Sequence, residues 1–380
     1  MTDTKLLDTP FGSFQLLRRP RRRNEVLQAW DAADSYLLNQ LAEQNLPPQS
    51  RILIVNDSFG ALSCALAKFD CSHWSDSVSA QLACCENAHI NTCREPEFIA
   101  STDLPEGHFD RIIYRLPRSH SLMRYQLERL RPLLRAPEHF VGATMAKYLN
   151  ASTLALIGES LGEAQASLAW KKARLVAVNS LCSDHEGYSD DWEVTRDDGL
   201  GVILGNHANV FSRGKFDRGS RVLLDALPKL PLDRDASAHI ADLGCGNGLL
   251  GVVAARHWRN ARVEFFDESH LAVSSARRNV LGNLEDGSRC GFHRDDCMSG
   301  YSGPPFDLVL CNPPFHQEQQ IGDHIAQQMF EHSLRFLRPG GYLCVVGNRH
   351  LGYHTTLAKR FTQCTTLHSD AKFVVLLATK

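Results

Sequence analysis

At 380 residues the chain is long enough for two to three domains. Its 43% hydrophobic and 22% charged content excludes a disordered or collagen-like polymer, and no run approaches the roughly 20 apolar residues of a membrane span. Lys+Arg 41 against Asp+Glu 43 leaves a net charge of -2, so any surface for nucleic acid must be local; with no basic-then-apolar leader, a cytoplasmic protein is expected.

The chain opens with a dense basic cluster, Arg18-Arg19-Pro20-Arg21-Arg22-Arg23. A helix is expected over Glu25–Glu43, set off by Pro47-Pro48 from a strand at Arg51–Asn56. A turn at Ser58-Phe59-Gly60 leads into the helix Ala61–Lys68, and strands follow at His73–Asp76 and Asp110–Leu116. The polar stretch Cys182–Asp191 reads as a linker, giving domains at 1–182 and 192–380 joined by 183–191. Beyond it the order is clearer. Strand His239–Leu243 runs into a glycine-rich turn and the helix Leu249–His257. Strand Arg262–Phe266 ends in Asp267-Glu268, and the helix Leu271–Leu281 follows. Strand Phe306–Cys311 is stopped by Asn312-Pro313-Pro314. The helix Gln327–Leu337 closes at Arg338-Pro339-Gly340-Gly341, and strands are expected at Tyr342–Gly347 and Lys372–Thr379. Strands separated by helices predict an α/β fold with a parallel, doubly wound sheet in each half.

The two halves share one grammar. Gly60 matches Gly248, Asp76 matches Asp267, Asp110 matches Asp307 and Leu130 matches Leu337, with a separation that drifts slowly as loop insertions would cause. A duplication is therefore expected, with the first copy degenerate. Where the second copy has Asp242, Gly244, Gly246 and Asn312, the first has Ile54, Asn56, Ser58 and Arg115. Twelve cysteines show no C-x-x-C pair, so neither a metal site nor a disulfide framework is expected.

Asp242-Leu243-Gly244-Cys245-Gly246-Asn247-Gly248 is the sharpest signal in the chain. A strand that turns tightly into a helix beside a ligand needs glycine, which takes positive φ and carries no Cβ. Asp267, one strand later, can accept hydrogen bonds from both hydroxyls of a ribose. A nicotinamide dehydrogenase is the nearer rival, but it uses G-x-G-x-x-G and a wall of phosphate-binding amides. Here the spacing is G-x-G-x-G, and the Asp242 carboxylate suits a cationic ligand carrying an ammonium group. S-adenosylmethionine has a ribose, an adenine, an ammonium and a sulfonium. With these residues the chain resembles the class I S-adenosylmethionine-dependent methyltransferases, which have a Rossmann-like fold. The resemblance implies a cofactor loop of Asp242, Gly244, Cys245, Gly246, Asn247 and Gly248, ribose contacts from Asp267 beside Glu268, and an adenine contact from either Asp295 or Asp296.

Asn312-Pro313-Pro314-Phe315 carries the expected chemistry. An exocyclic amine on a base is a poor nucleophile, because its lone pair is delocalised into the ring. Two acceptors on its N–H groups, the Asn312 side-chain oxygen and the Pro313 carbonyl, would pull the nitrogen toward tetrahedral geometry. Consecutive prolines hold that carbonyl rigid. Phe315 offers a face for a flipped base. His316 could act as a base, but water can take the proton from an amine that has become cationic. The motif is similar to that of the amino-group methyltransferases, a class that also holds adenine-N6 and protein glutamine enzymes.

A degenerate half followed by an intact one resembles the ribosomal RNA guanine-N2 methyltransferases along nearly the whole chain. Asn209–Gly214 and Asp217–Arg221 match the segment those enzymes place over the cofactor, which implies cofactor contacts from Phe211 and Arg213. Leu27–Asp34 looks closest to the branch acting on the large subunit, so 23S ribosomal RNA is the favoured partner, with 16S ribosomal RNA the alternative. Arginines support such a partner: Arg21, Arg22 and Arg23 in the first cluster, and Arg115 and Arg118 where the lost active site of the first half would lie.

Overall fold

The computed structural model describes residues 5–21, 25–183, 191–314 and 319–380; Arg22, Arg23, Phe315, His316 and most of the expected linker lie outside these. The chain divides into two units, Met1–Asp190 and Asp191–Lys380.

In the first unit a hairpin, β1 (Leu6–Thr9) and β2 (Gly12–Gln15), precedes α1 (Ala32–Glu43), β3 (Arg51–Val55), α2 (Ala61–Ala65), β4 (Asp70–Ser75), α3 (Val78–Ile90) and β5 (Glu97–Ala100). Then come β6 (Arg111–Arg115), α4 (His120–Leu130), β7 (Phe140–Met145), α5 (Ala151–Leu161), β8 (Ala164–Ala166) and β9 (Ala173–Val178). The second unit begins with a hairpin, β10 (Glu193–Asp197) and β11 (Val202–Asn206), followed by α6 (Arg218–Leu224), β12 (His239–Leu243), α7 (Leu249–His257), β13 (Arg262–Asp267), α8 (His270–Asn283) and β14 (Cys290–Arg294). It ends with β15 (Phe306–Cys311), α9 (Gln319–Phe336), β16 (Leu337–Asn348), α10 (Tyr353–Ala358), β17 (Gln363–Ser369) and β18 (Phe373–Thr379).

Each unit holds one seven-stranded sheet, in the order β5-β4-β3-β6-β7-β9-β8 and β14-β13-β12-β15-β16-β18-β17. The two orders are the same. In both, the first five strands are parallel and the last two add an antiparallel hairpin. Central strands such as β3 (RILIV) and β12 (HIADL) are buried on both faces, because helices cover both sides of a parallel sheet. The register confirms the residue matching. Val55 pairs with Tyr114 as Leu243 pairs with Cys311, so Arg115, the last residue of β6, stands at the level of Asn312, the first residue beyond β15.

Local chemistry sets the boundaries. The helix expected from Glu25 begins only at Ala32, where Asp31 and Asp34 form a capping box. Arg338-Pro339-Gly340-Gly341, expected as a turn, lies inside β16, and a register shift between Phe306 and Leu308 on β15 absorbs it. The β17 strand of the last hairpin was not expected. Gly60 and Gly248 both sit at φ 82, each leading into a helix, and an added Cβ would meet Cys84 Cα at 2.8 Å or Ala276 Cβ at 3.0 Å. Glycine here lets one helix pack directly on the next.

In the first unit the turn carries polar side chains, Asn56 and Asp57, where the second has Gly244 and Cys245. Asn56 keeps the left-handed conformation of Gly244 (φ 63 against 75). Its amide donates to the Arg115 carbonyl and to Gln126 Oε1, which also accepts from the Tyr114 hydroxyl. The buried Asp57 carboxylate accepts from the backbone N–H groups of Gly60, Ala61 and Ser63 and from the Ser63 hydroxyl. In the second unit the equivalent N–H groups of Gly248, Leu249 and Gly251 bond instead to Cys245, Asn247 and Asp242.

Candidate active site

The cofactor turn and the Asn-Pro-Pro segment emerge side by side. β12 and β15 are parallel neighbours, with Leu243 opposite Cys311, so Gly244 and Asn312 leave the sheet at the same level. Ligands of open α/β sheets bind at this carboxyl edge.

The turn is held by few bonds. Gly244 and Cys245 both donate to the Phe266 carbonyl at 2.9 Å, and Gly248 donates to Cys245 at 2.7 Å. Gly246 sits at φ 54, and an added Cβ there would meet nothing within 4 Å. Space therefore opens directly over the turn. Cys245 is buried, while Asn247 accepts from Leu249 N–H through its side chain and from Asn279 through its carbonyl.

Asp242 is fully buried. One carboxylate oxygen accepts from Gly251 N–H at 2.8 Å and the other has no partner. Burial pushes its pKa up to about 7, the neighbouring Asp267 adding to the effect. A buried carboxylate with a free oxygen is the electrostatic complement of an ammonium group. Asp267 accepts from Gly246 N–H with one oxygen and from Ser269 N–H with the other, which fixes its carboxylate beside the turn. Glu268, next in sequence, is exposed.

Asp295 and Asp296 follow β14 with different surroundings. The half-buried Asp295 carboxylate accepts from Gly300 N–H, and burial raises its pKa. Asp296 is buried and accepts from the Gln328 side chain at 2.9 Å. Of the lead-in residues, Phe211 is 57% exposed. Arg213, expected at the cofactor, instead pairs with Asp191 and with Glu193; its guanidinium is held by acids of its own unit.

Asn312 carries the clearest geometry. Its amide nitrogen donates to Asp217 Oδ2 at 2.9 Å and to Ser220 Oγ at 2.8 Å. Its oxygen is buried and has no partner. Pro313 is buried and Pro314 half-buried behind it, while Phe315 and His316 lie outside the described residues. Sequence reasoning placed Asp217 and Ser220 in a lead-in segment and missed their contact with Asn312. Their one signal is the D-x-x-S pattern of a helix cap, which Asp217 forms on α6 by accepting from Ser220 N–H.

The arginine candidates fare unequally. Arg115, expected to face RNA, is 17% exposed and forms ion pairs with Asp31 (2.9 Å) and Asp34 (3.0 Å). A guanidinium spent on two carboxylates is not offered to phosphate. Two further arginines of the first unit are also held by neighbours: Arg124 pairs with Glu159, and Arg131 bonds the Cys182 carbonyl. Arg118 is exposed and stacks over Tyr148, with Lys147 over the same ring. Arg21 is exposed beside Glu86. Among the described residues no group of three or more His, Cys, Asp or Glu side chains is arranged to hold a metal, and no helix is long and apolar enough to cross a membrane.

Residues 4–182 match the RLMG N-terminal domain family, and residues 201–377 match the methyltransferase small domain family. The ribosomal RNA large subunit methyltransferase G of Aliivibrio fischeri (strain MJ11) is 40% identical over 100% of this chain and 98% of its own length. That of Ectopseudomonas mendocina (strain ymp) is 42% identical over 99% of this chain and 100% of its own. Among solved structures, a 16S rRNA N2 methyltransferase from T. thermophilus, in complex with AdoMet and guanosine, matches with a TM-score of 0.77. It shares 21% identity, with 99% of this chain and 97% of that one covered. Two matched domains and full-length relatives at this identity place the chain in the ribosomal RNA large subunit methyltransferase G family.

Proposed function

We propose that the chain methylates the exocyclic N2 amino group of one guanine in 23S ribosomal RNA, in the cytoplasm, with S-adenosylmethionine as donor. The second unit performs the chemistry and the first docks the RNA. The observation that carries this reading is the buried, unpartnered Asn312 oxygen at the carboxyl edge of the sheet, level with the glycine turn.

The residues present fit the donor. Asp242 has a free buried oxygen for the ammonium, Asp267 holds a carboxylate against the turn where the ribose would lie, and Gly246 leaves space where any side chain would intrude. Asp295 or Asp296 would receive the adenine amino group. When bound, S-adenosylmethionine supplies a methyl group on a sulfonium, already a good leaving group. Asn312 accepts one N–H of the guanine amine, and the Pro313 carbonyl accepts the other. Both withdraw the nitrogen from conjugation and aim its lone pair. The nitrogen gains the methyl and releases one proton to water. No covalent enzyme intermediate is required.

For docking, the exposed pair Arg118 and Lys147 around Tyr148 replaces Arg115, and Arg21, Arg22 and Arg23 remain candidate phosphate contacts. The test is labelled-methyl transfer to ribosomal RNA from a strain lacking the enzyme, followed by nucleoside analysis. Label in N2-methylguanosine of 23S RNA is expected; label only in N6-methyladenosine, or only in 16S RNA, refutes the proposal. Asn312→Ala should abolish turnover while S-adenosylmethionine still binds.

A further inference from the structure

We infer that Asp217 is a positioning residue for the transfer: with Ser220 it locks the Asn312 amide so that its oxygen, and never its nitrogen, meets the substrate amine. The inference deepens the site reading above and rests on it.

An asparagine side chain is nearly symmetric in shape. Unconstrained, it could present either the oxygen or the NH2 group, and a presented NH2 would repel an amine and give no catalysis. Here both amide hydrogens are claimed, one by Asp217 Oδ2 at 2.9 Å and one by Ser220 Oγ at 2.8 Å. A carboxylate only accepts, so turning the amide over would set two acceptors against each other. The orientation is therefore fixed by charge as well as by shape. The remaining polar atom, Asn312 Oδ1, is buried with no partner, which costs free energy unless something donates to it. An amine N–H is such a donor. A negative charge on the far side of the amide also draws its electrons toward the oxygen, making it a stronger acceptor.

Asp217 itself is held. The same Oδ2 accepts from Ser220 N–H at 2.7 Å, capping α6, so the acid cannot swing away without opening the helix. The cap, the lock and the acceptor thus form one chain from α6 to the end of β15. Because Asp217 and Asn312 lie 95 residues apart, folding of the unit is what builds the acceptor.

Four variants test this: Asn312→Ala, Asp217→Asn, Asn312→Asp, and the last two combined. Asparagine caps helices as well as aspartate does, so Asp217→Asn keeps α6 while removing the charge. The capping oxygen at that position still accepts from Asn312, but without its charge the bond is weaker, so kcat should fall about 10-fold, with the cofactor Kd and the RNA KM each within about threefold. Asn312→Asp faces two carboxylates together and should also be poor. The combination places the amide at 217 and the carboxylate at 312, again giving one donor–acceptor lock with an oxygen toward the substrate. It should exceed Asn312→Asp alone by at least about tenfold. A helix cap with no tie to Asn312 would give no such recovery.

A second readout needs no turnover. The side-chain 15NH2 signal of Asn312, identified by its loss in Asn312→Ala, should be protected from solvent exchange in the full-length protein. It should exchange measurably faster in Asp217→Asn, where the acceptor has lost its charge. Full kcat in Asp217→Asn, or no recovery in the combination, overturns the positioning role while leaving Asn312 catalytic. Full turnover in Asn312→Ala overturns the site reading and this inference with it.

Discussion

Removing the Arg115 guanidinium should destabilise the first unit and leave catalysis by the second untouched. Asp31 and Asp34 accept from it at 2.9 and 3.0 Å, and its side chain is 17% exposed. Both acids also cap α1, so they cannot retreat to solvent without uncapping it. Burial already pushes Asp34 up to about 7, and the Arg115 charge is the largest influence opposing that rise. Arg115→Ala leaves two nearby carboxylates with no cation between them, a loss of about 3–5 kcal/mol for a broken buried pair. For a unit of this size the melting temperature should fall by about 6–20 °C. The sign of the pH dependence follows. A folded-state pKa raised above the unfolded value gives stability that is present at low pH and lost as pH rises through the folded value. Without arginine the Asp34 pKa climbs further, so the deficit should be larger at pH 8 than at pH 6. Calorimetry of the full chain should show one transition lowered and the other in place, with the cofactor Kd unchanged. Arg115→Met combined with Asp31→Asn and Asp34→Asn, which keeps the caps and removes all three charges, should recover most of the loss. An unchanged melting profile together with weakened RNA binding would refute the structural role and return Arg115 to the docking surface.

Other outcomes follow from the same geometry. Gly246→Ala places a methyl group in open space at φ 54, so it should cost the fold only about 1–2 kcal/mol. Titration calorimetry should show cofactor affinity lost by at least tenfold, and unchanged affinity would deny that the ligand lies over this turn. Asp242, pushed up to about 7 by burial, must ionise to pair with an ammonium. Cofactor affinity should therefore weaken as pH falls from 8 to 6, while the stability of the free second unit rises over the same change; Asp242→Asn should flatten both curves. Fully buried His73 has no partner on either ring nitrogen, and burial lowers its pKa. A depressed histidine pKa means the unfolded chain binds the proton first, so the first unit should lose stability as pH falls below about 6.5, and His73→Leu should remove that slope in denaturant titrations. Replacing Arg118 and Lys147 together with alanine should raise the RNA KM about 3–10-fold and flatten its salt dependence, leaving kcat alone; an unaltered salt slope would remove them from the interface.

What could be read in advance was whatever a few neighbouring residues impose. Positive φ at Gly244, Gly246 and Gly248, the stiffness of Pro313-Pro314, and the apolar runs of β12 and β15 are local constraints, and local constraints leave a local signature. The repeated strand order was legible for the same reason, since each strand–turn–helix unit carries its own pattern. The beginning of α1 was misjudged because the Asp31–Asp34 capping box outweighs the weak helical pattern before it. The course of β16 through Pro339-Gly340 was misjudged because the pairing of β16 with β15 decides it. The partners of charged and polar side chains were decided by the folded chain alone. Arg115 looked like a phosphate contact until Asp31, 84 residues earlier, was found against it, and Asn312 looked self-sufficient until Asp217 was found behind it. Charges carry no directional signature in sequence. Whether an arginine meets solvent or an acid, and which end of an amide points outward, is settled by which distant segments the sheet brings to one edge.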